Sequence, residues 1–293
     1  MHYLFLAIIC TTSLFILFRI LRNLKIDLFQ SIVWNYVTCS LIGFILQYQE
    51  LTTALYEKHM ATVIASSLLG SCLLPGLFLI GTSTQRAGLT RTITADKLSM
   101  VIPAGFAIAV GVAPFSWFQM LAFGLGMIAI YLITQKDLND TLKPVKPFYR
   151  FLPVFVFLCT GLLDLTILFI NKTIATPESG GLFTLHMFLA AAIWGIIAFG
   201  ILVGIKKIQF ESKAILAGIA LGTVNYFSIH NLLKTLNFFQ HDGSFVFPMM
   251  NISIILLVTV VSYFFFKDTF TKKLVIGLAL ATTAIFILCF NKF

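Results

Sequence analysis

Long apolar runs fill almost the whole of this chain. A helix needs about 20 mostly apolar residues to cross the roughly 30 Å hydrocarbon core of a bilayer. Ten such runs follow one another, at residues 2–18, 28–47, 60–81, 98–113, 116–134, 151–170, 182–203, 214–236, 244–266 and 273–290. Hydrophobic residues form 59% of the chain and charged residues 11%, which excludes a soluble globular domain. The sequence therefore predicts an all-α membrane protein with ten transmembrane helices.

The first and fourth runs depart from the plain pattern. No basic residue precedes the run 2–18 and no small-residue cleavage site follows it, so we interpret it as a retained helix rather than a secretory signal. Pro103, Gly105, Gly111 and Pro114 interrupt the fourth run, which is short for a straight crossing. We therefore expect the fourth helix to be kinked or tilted.

The net charge of +9 comes from lysine and arginine residues in the short connections between runs. Sixteen of them lie in odd-numbered connections, and four lie in even-numbered ones or at the C-terminus: Lys58, Lys172, Lys234 and Lys292. Cytoplasmic loops are enriched in Lys and Arg. The pattern therefore predicts a multi-pass protein of the cell (inner) membrane with odd-numbered loops in the cytoplasm and both termini outside. It also favours the lipid bilayer, and not nucleic acid, as the partner of the basic residues.

The chain divides into two halves of five runs each. A polar linker at 135–150 separates residues 1–134 from residues 151–293. An odd number of crossings makes the second half enter the membrane from the opposite side, so equivalent loops should exchange their charge. The first and third loops are basic, whereas their counterparts, the sixth and eighth loops, carry both signs of charge. The second loop is acidic and the fourth is uncharged, whereas their counterparts, the seventh and ninth loops, are basic. Four reversals in four pairs predict an inverted repeat.

A short motif recurs in the two halves. Ser99-Met100-Val101-Ile102-Pro103 returns as Ser244-Phe245-Val246-Phe247-Pro248. Other distinctive stretches are Thr84-Gln85, Lys97-Leu98-Ser99, Gly222-Thr223-Val224-Asn225-Tyr226-Phe227-Ser228, Asp242-Gly243 and Phe266-Lys267-Asp268-Thr269-Phe270-Thr271-Lys272. With the five-plus-five plan, they make almost the whole chain resemble EamA-type members of the drug/metabolite transporter superfamily. The chain departs from these relatives at Val112-Ala113, where they often have Gly-Glu, and at Asp268, where they have Glu.

The resemblance implies a ten-helix permease with a central cavity. Such carriers move small metabolites or drug-like solutes by alternating access. We expect coupling to protons, ions or solute exchange, no cofactor, and a monomer or homodimer. Two other classes stay open. One is a flippase or accessory subunit acting on lipid or lipid-linked substrates. The other is an intramembrane enzyme, although no His-Glu-x-x-His, Gly-x-Ser-x-Gly or second membrane-depth Asp is present to supply one.

Asp164 is the only carboxylate deep within an apolar run. An Asp near a helix centre costs about 2.5–3.5 kcal/mol on insertion scales, so it should face a cavity or a partner rather than lipid. Its carboxyl group would then exchange a proton with solute or solvent, or anchor the solute. The structural alternative is an Asp bonded to neighbouring groups, with Gly161 letting another helix approach.

The eighth run places Gly222, Tyr226, His230 and Lys234 at intervals of four residues, with Asn225 beside Tyr226. One helical face is therefore polar. As solute contacts, Asn225 would supply donors and acceptors, Tyr226 an aromatic surface, and the other two positive charge. Interhelical hydrogen bonding, with Lys234 reaching the membrane surface, would explain the same pattern.

Further solute-binding candidates are the polar residues at comparable depth or at the start of the fourth run: Asn35, Tyr36, Asn251, Lys97 and Ser99. A satisfied contact between helices is an equally good interpretation of Asn35, Tyr36 and Asn251. For Lys97 the alternative is an ordinary basic residue of a cytoplasmic loop. The five cysteines all lie in apolar runs without metal-ligand spacing. We therefore expect small hydrophobic thiols and no metal site.

Overall fold

The computed structural model describes residues 2–48, 60–86, 89–111, 116–134, 149, 151–174, 180–266 and 272–292. Within these ranges the chain forms α-helices and no strands. The helices are α1 (His2–Asn23), α2 (Leu28–Leu46), α3 (Met60–Arg86), α4 (Leu89–Leu98), α5 (Val101–Ala109), α6 (Trp117–Thr134), α7 (Leu152–Thr173), α8 (Gly180–Gly204), α9 (Ser212–Phe238), α10 (Gly243–Phe266) and α11 (Lys272–Lys292). The predicted linker, except Tyr149, lies outside the described residues, as do residues 112–115 and 267–271 of the motifs compared above.

Nine of the ten predicted runs each coincide with one helix. Within the described residues, six helical segments are long and apolar enough to cross a membrane: Leu28–Leu46, Met60–Ile80, Leu152–Thr173, Gly180–Gly204, Ser212–Phe238 and Gly243–Val261. His2–Phe18 and Trp117–Leu132 are shorter apolar segments. These lengths and compositions are those of a membrane-embedded helical protein.

The fourth run differs from its predicted bounds of 98–113. Among the described residues of this run that follow Met100, the helix is α5, whose nine residues rise about 14 Å, less than half of the hydrocarbon core. Pro103 lies in the first turn of α5, where a missing N–H removes no helical hydrogen bond. Gly111 ends the segment with a φ of +70°, a conformation that glycine adopts readily. The more polar α4 precedes α5 and was not predicted as a helix.

The chain forms two compact units. The first contains Met1–Pro75 and Thr166–Phe238, and the second contains Gly76–Leu165 and Phe239–Phe293. Each unit therefore takes helices from both predicted halves of the sequence. The divisions fall inside α3, inside α7 and at the end of α9.

In the first unit, α9 packs against α1, α2 and α8, and α2 also packs against α8. The contact between α2 and α9 is very close because α9 presents glycines at an interval of four residues. A β-carbon at Gly222 would lie 2.5 Å from Thr38 Cβ and 2.6 Å from the backbone oxygen of Asn35. A β-carbon at Gly218 would overlap Trp34. Small residues spaced in this way let helix backbones approach in membranes.

The first turns of α2 and α9 are joined by a reciprocal hydrogen-bond clasp. The side-chain amide of Gln30 donates to the backbone oxygen of Gln209 at 2.8 Å and accepts from the backbone N–H of Glu211 at 2.9 Å. The Glu211 carboxylate in turn accepts from the backbone N–H of Asp27 at 2.9 Å. Asp27 caps α2 by accepting from Gln30 N at 2.7 Å. The N-terminal ends of α2 and α9 therefore lie side by side, and the two helices run in the same direction.

In the second unit, α6 packs against α11, and α10 packs against α5, α6 and α11. The two Ser-x-Val-x-Pro motifs begin α5 and α10, which contact each other. The Ser244 hydroxyl donates to Asp242 Oδ1 at 2.6 Å, and Phe245 N donates to the same oxygen at 3.2 Å. A β-carbon at Gly161 of α7 would overlap Ile102 of α5. α5 therefore approaches α7 at Gly161, the helix packing that the structural alternative for Asp164 described.

Candidate functional site

The predicted site residues lie in both compact units. In the first unit they form one cluster on α2 and α9, which we call the Asn–Tyr cluster: Asn35, Tyr36, Asn225, Tyr226, His230 and Lys234. In the second unit Lys97, Ser99 and Asp164 lie near the α4–α5 junction and on α7. Asn251 lies on α10 and is 8% exposed.

The Asn–Tyr cluster contains an Asn-Tyr dipeptide on each of two parallel helices, Asn35-Tyr36 on α2 and Asn225-Tyr226 on α9. Asn225 Nδ2 of α9 donates to Asn35 Oδ1 of α2 at 3.2 Å. Asn35 is buried, whereas Asn225 is partly exposed. Each side-chain amide offers two N–H donors and an oxygen with two lone pairs, so one bond does not exhaust either group. The pair is therefore both an interhelical contact and a polar surface available at Asn225.

Aromatic rings surround this amide pair. Phe188 of α8 lies beside both tyrosines, with ring centroids 6.1 Å from Tyr36 and 6.3 Å from Tyr226. His230 stacks on Tyr226 at 5.8 Å with an interplanar angle of 16°. Tyr226 is 0% exposed. A solute at this surface would therefore meet Asn225 and His230 before it met the tyrosine ring.

The polar face of α9 becomes more exposed toward its C-terminal end. Gly222 and Tyr226 are buried, His230 is partly exposed, and Lys234 is exposed. Lys234 Nζ lies 5.2 Å from the ring centroid of Tyr3 on α1, within the range of a cation–π contact. Tyr3 was not predicted as part of the site. No local pattern could have identified it, because α1 and α9 are far apart in the sequence.

The second unit contains an ion pair near the α4–α5 junction. Lys97 Nζ lies 3.1 Å from Asp96 Oδ2, and both side chains are largely covered by protein. Asp164 of α7 is partly buried. The Ser99 hydroxyl donates to the backbone oxygen of Asp96 at 2.5 Å. Asp96 was missed by sequence reasoning, although its position directly before Lys97 at the start of an apolar run was a usable signal.

The cysteine side chains that the structure describes are free thiols: Cys10, Cys39, Cys72 and Cys159. Cys39 is buried between α2 and α9, where its thiol donates to the backbone oxygen of Gly222 at 3.2 Å. Among the described residues, no group of three or more His, Cys, Asp or Glu side chains is placed to hold a metal ion.

The chain is similar in sequence to a protein of Haemophilus influenzae and similar in fold to a protein of known structure. No protein-family model matches the chain. An uncharacterized protein of Haemophilus influenzae is 27% identical over 292 residues, which cover 98% of this chain and 97% of the relative. A protein of known crystal structure is similar to this chain with a TM-score of 0.75 and 10% sequence identity. The similarity covers 99% of this chain and 96% of that protein. The structural similarity shows that the two proteins share a fold over almost their whole lengths.

Proposed function

We propose that this chain is a secondary transporter of the cell membrane, similar to EamA-type carriers, which moves a small metabolite or drug-like solute by alternating access. In this proposal all ten predicted runs cross the bilayer in two inverted halves. The fourth crossing is the run 98–113, which contains α5. Coupling is to protons, ions or solute exchange.

The observation that carries the proposal is the packing of helices that hold equivalent places in the two halves. Within the first unit, α2 packs against α8, and each is the second helix of its half. Within the second unit, α5 packs against α10 and α6 packs against α11. Three of the five equivalent pairs are thus in contact. Inverted repeats related by a pseudo-two-fold axis in the membrane plane bring such counterparts together along that axis.

Contacts between loops in the first unit support the predicted topology. The clasp joins Asp27 of the first loop to Glu211 of the seventh, and both loops are assigned to the cytoplasm. The Thr62 hydroxyl, at the end of the second loop, donates to the backbone oxygen of Ile174 in the sixth at 3.3 Å. Lys234, before the eighth loop, meets Tyr3 at the N-terminus. Each contact joins segments that the charge pattern assigns to one side of the membrane.

The Asn–Tyr cluster is the proposed solute contact. Amide groups inside apolar helices are costly unless they are paired, and polar residues at this depth commonly mark a pathway. Asn225 would bond a polar group of the solute, whereas His230 and Lys234 would favour an anionic group. Asn225 and His230 are partly exposed and Lys234 is exposed, which is compatible with this role.

The proposal is tested by the melting temperature of detergent-purified protein against amino acids, purines, sugars, organic anions and amphiphilic cations. A ligand that binds the folded state raises its stability by mass action. The variants are Asn225→Ala and Lys234→Gln. Thr223→Ala is the matched control, since Thr223 is exposed on the same helix and its hydroxyl bonds to Ile219 of that helix at 2.9 Å.

A saturable shift with one chemical class, kept in Thr223→Ala and lost in Asn225→Ala, would support the transporter and its solute contact. Uptake of the same compound into proteoliposomes must follow. Stabilisation by one lipid alone, unaffected by either site variant, would contradict the proposal in favour of a lipid flippase or accessory subunit.

A further inference from the structure

Two connections of the first unit, α1–α2 and α8–α9, begin with the same backbone conformation. Leu24 and Ile205 directly follow α1 and α8. Each is followed by a lysine in the left-handed region, Lys25 with a φ of 55° and Lys206 with a φ of 56°. Glycine is the usual residue at this position after a helix, because it has no β-carbon. Both connections therefore have a lysine where glycine would fit the backbone better.

The hydrogen bonds at the two helix ends are also the same. Ile26 N donates to Leu21 O at 3.1 Å, and Lys207 N donates to Leu202 O at 3.0 Å. In each case the N–H that follows the left-handed lysine bonds back to the last turn of the helix, as in a Schellman motif. The backbone of both lysines is therefore fixed, and their side chains leave the two helix ends in defined positions.

The clasp holds these two connections side by side. Lys25 lies two residues before Asp27, and Lys207 lies four residues before Glu211, and the Glu211 carboxylate accepts from Asp27 N at 2.9 Å. Asp27 Oδ1 accepts from Gln30 N at 2.7 Å. Both carboxylates thus bind backbone N–H groups, and within the described residues neither forms an ion pair with the lysines of these connections.

The clasped connections expose basic and aliphatic side chains together. We call these residues the basic–aliphatic surface: Leu24, Lys25, Ile205, Lys206 and Lys207. Leu24 and Ile205 are 64% and 56% exposed, although both are aliphatic. They lie at the ends of two apolar helices, where the acyl chains of a bilayer meet the headgroups. An ammonium group beside an exposed aliphatic side chain at this level matches a phosphate that is attached to acyl chains.

We propose that the basic–aliphatic surface binds an anionic phospholipid. Lys25, Lys206 and Lys207 contact its phosphate, and Leu24 and Ile205 contact its acyl chains. Lysines at a membrane surface are attracted to anionic lipids. Because the lipid touches both connections, it adds to the clasp that joins α2 to α9. In the topology proposed above, this lipid belongs to the cytoplasmic leaflet.

The test is the melting temperature of the full-length protein in mixed micelles that contain either phosphatidylglycerol or the zwitterionic phosphatidylcholine. A lipid that binds the folded state raises its stability, so phosphatidylglycerol should raise the melting temperature. Lys25→Gly combined with Lys206→Gly suits the left-handed backbone, so this variant should melt normally in phosphatidylcholine. Its rise with phosphatidylglycerol should be smaller by about 4–8 °C, from about 1 kcal/mol for each lysine.

The matched control is Lys172→Gln combined with Lys272→Gln, which removes two exposed lysines from other parts of the chain. This control should keep the full rise. Lys25→Asn combined with Lys206→Asn repeats the test with a second residue that tolerates the left-handed region. Lys25→Arg combined with Lys206→Arg keeps the charge and should keep the rise.

An equal loss in the glycine variant and the control would overturn the site in favour of a general attraction of charge. A rise with inorganic phosphate alone would overturn the lipid as the ligand, and no rise with phosphatidylglycerol in the wild type would overturn the proposal altogether. The experiment needs no solute, so its result is independent of the transporter function. The soluble-ligand screen described above keeps the phosphatidylglycerol content constant, which separates this structural lipid from a transported one.

Discussion

Replacing Gly222 by alanine should measure how strongly the fold depends on the close contact between α2 and α9. The new β-carbon would lie 2.5 Å from Thr38 Cβ, 0.9 Å short of the 3.4 Å at which ordinary contact begins. It would also lie 2.6 Å from the backbone oxygen of Asn35. Neither atom is the flexible end of a side chain, so the two helices must separate.

Overpacking of this kind costs about 1–3 kcal/mol, and rigid neighbours place Gly222→Ala near the upper value. The better helix propensity of alanine returns about 1 kcal/mol. We expect a net loss of about 2 kcal/mol, which lowers the melting temperature by about 4–8 °C for a unit of roughly 150 residues. Gly200→Ala is the matched control, because a β-carbon at Gly200 meets nothing within 4 Å. That variant should be neutral or slightly stabilised.

The assay is thermal unfolding in detergent, combined with alkylation of Cys39 in a variant that keeps only this cysteine. Cys39 lies in the same contact, with its thiol 3.2 Å from the Gly222 backbone oxygen. Separation of the helices should therefore speed its alkylation. Gly218→Ala should act similarly, and the double variant should cost less than the sum because one separation relieves both overlaps. If Gly222→Ala and Gly200→Ala melt and label alike, the close-contact reasoning is refuted.

Three further outcomes follow from the first unit. Gln30→Ala should lower the free energy of unfolding by about 1–3 kcal/mol, because it removes both hydrogen bonds that the Gln30 side chain makes in the clasp. Hydrogen exchange at the Glu211 amide should accelerate, and an unchanged rate would argue against the clasp. A double-mutant cycle of Asn35→Ala and Asn225→Ala in thermal unfolding should give a coupling of about 0.6 kcal/mol, the usual size for a membrane hydrogen bond; zero coupling would mean that the amides do not interact. In whole cells, a cysteine at Lys234 should react with a membrane-impermeant maleimide and one at Lys206 should not, and the reverse pattern would invert the proposed topology.

The sequence predicted the helices well because helix formation in a bilayer is decided locally. An apolar run must form its own backbone hydrogen bonds there, so its length and ends are visible in the residues. The predicted run 28–47 corresponds to the helix Leu28–Leu46, and the predicted run 244–266 corresponds to the helix Gly243–Phe266. The fourth run was predicted less well, because its apolar residues continue past Gly111, whose backbone conformation ends the segment.

The candidate site was only partly predictable. The spacing of Tyr226 and His230 predicted a shared helical face, and their rings do stack. The bond from Asn225 to Asn35 depends on which helix packs against α9, and a local pattern carries no such information. The same reason explains why Tyr3 was missed, since its importance comes from its contact with the distant Lys234. Asp96 lies directly before Lys97, so its ion pair could have been predicted from the sequence.

The first unit combines two segments that are far apart in the sequence, so its helices are synthesised at different times. Asn35 bonds to a residue 190 positions further along the chain. At about 5–20 residues per second, Asn35 is synthesised roughly 10–40 s before Asn225. During this interval its amide and the surface that will receive Gly218 and Gly222 must be held by lipid, by the insertion machinery or by temporary neighbours. Slower translation between α2 and α9 should therefore lengthen the period in which a nascent chain is exposed to membrane quality-control proteases.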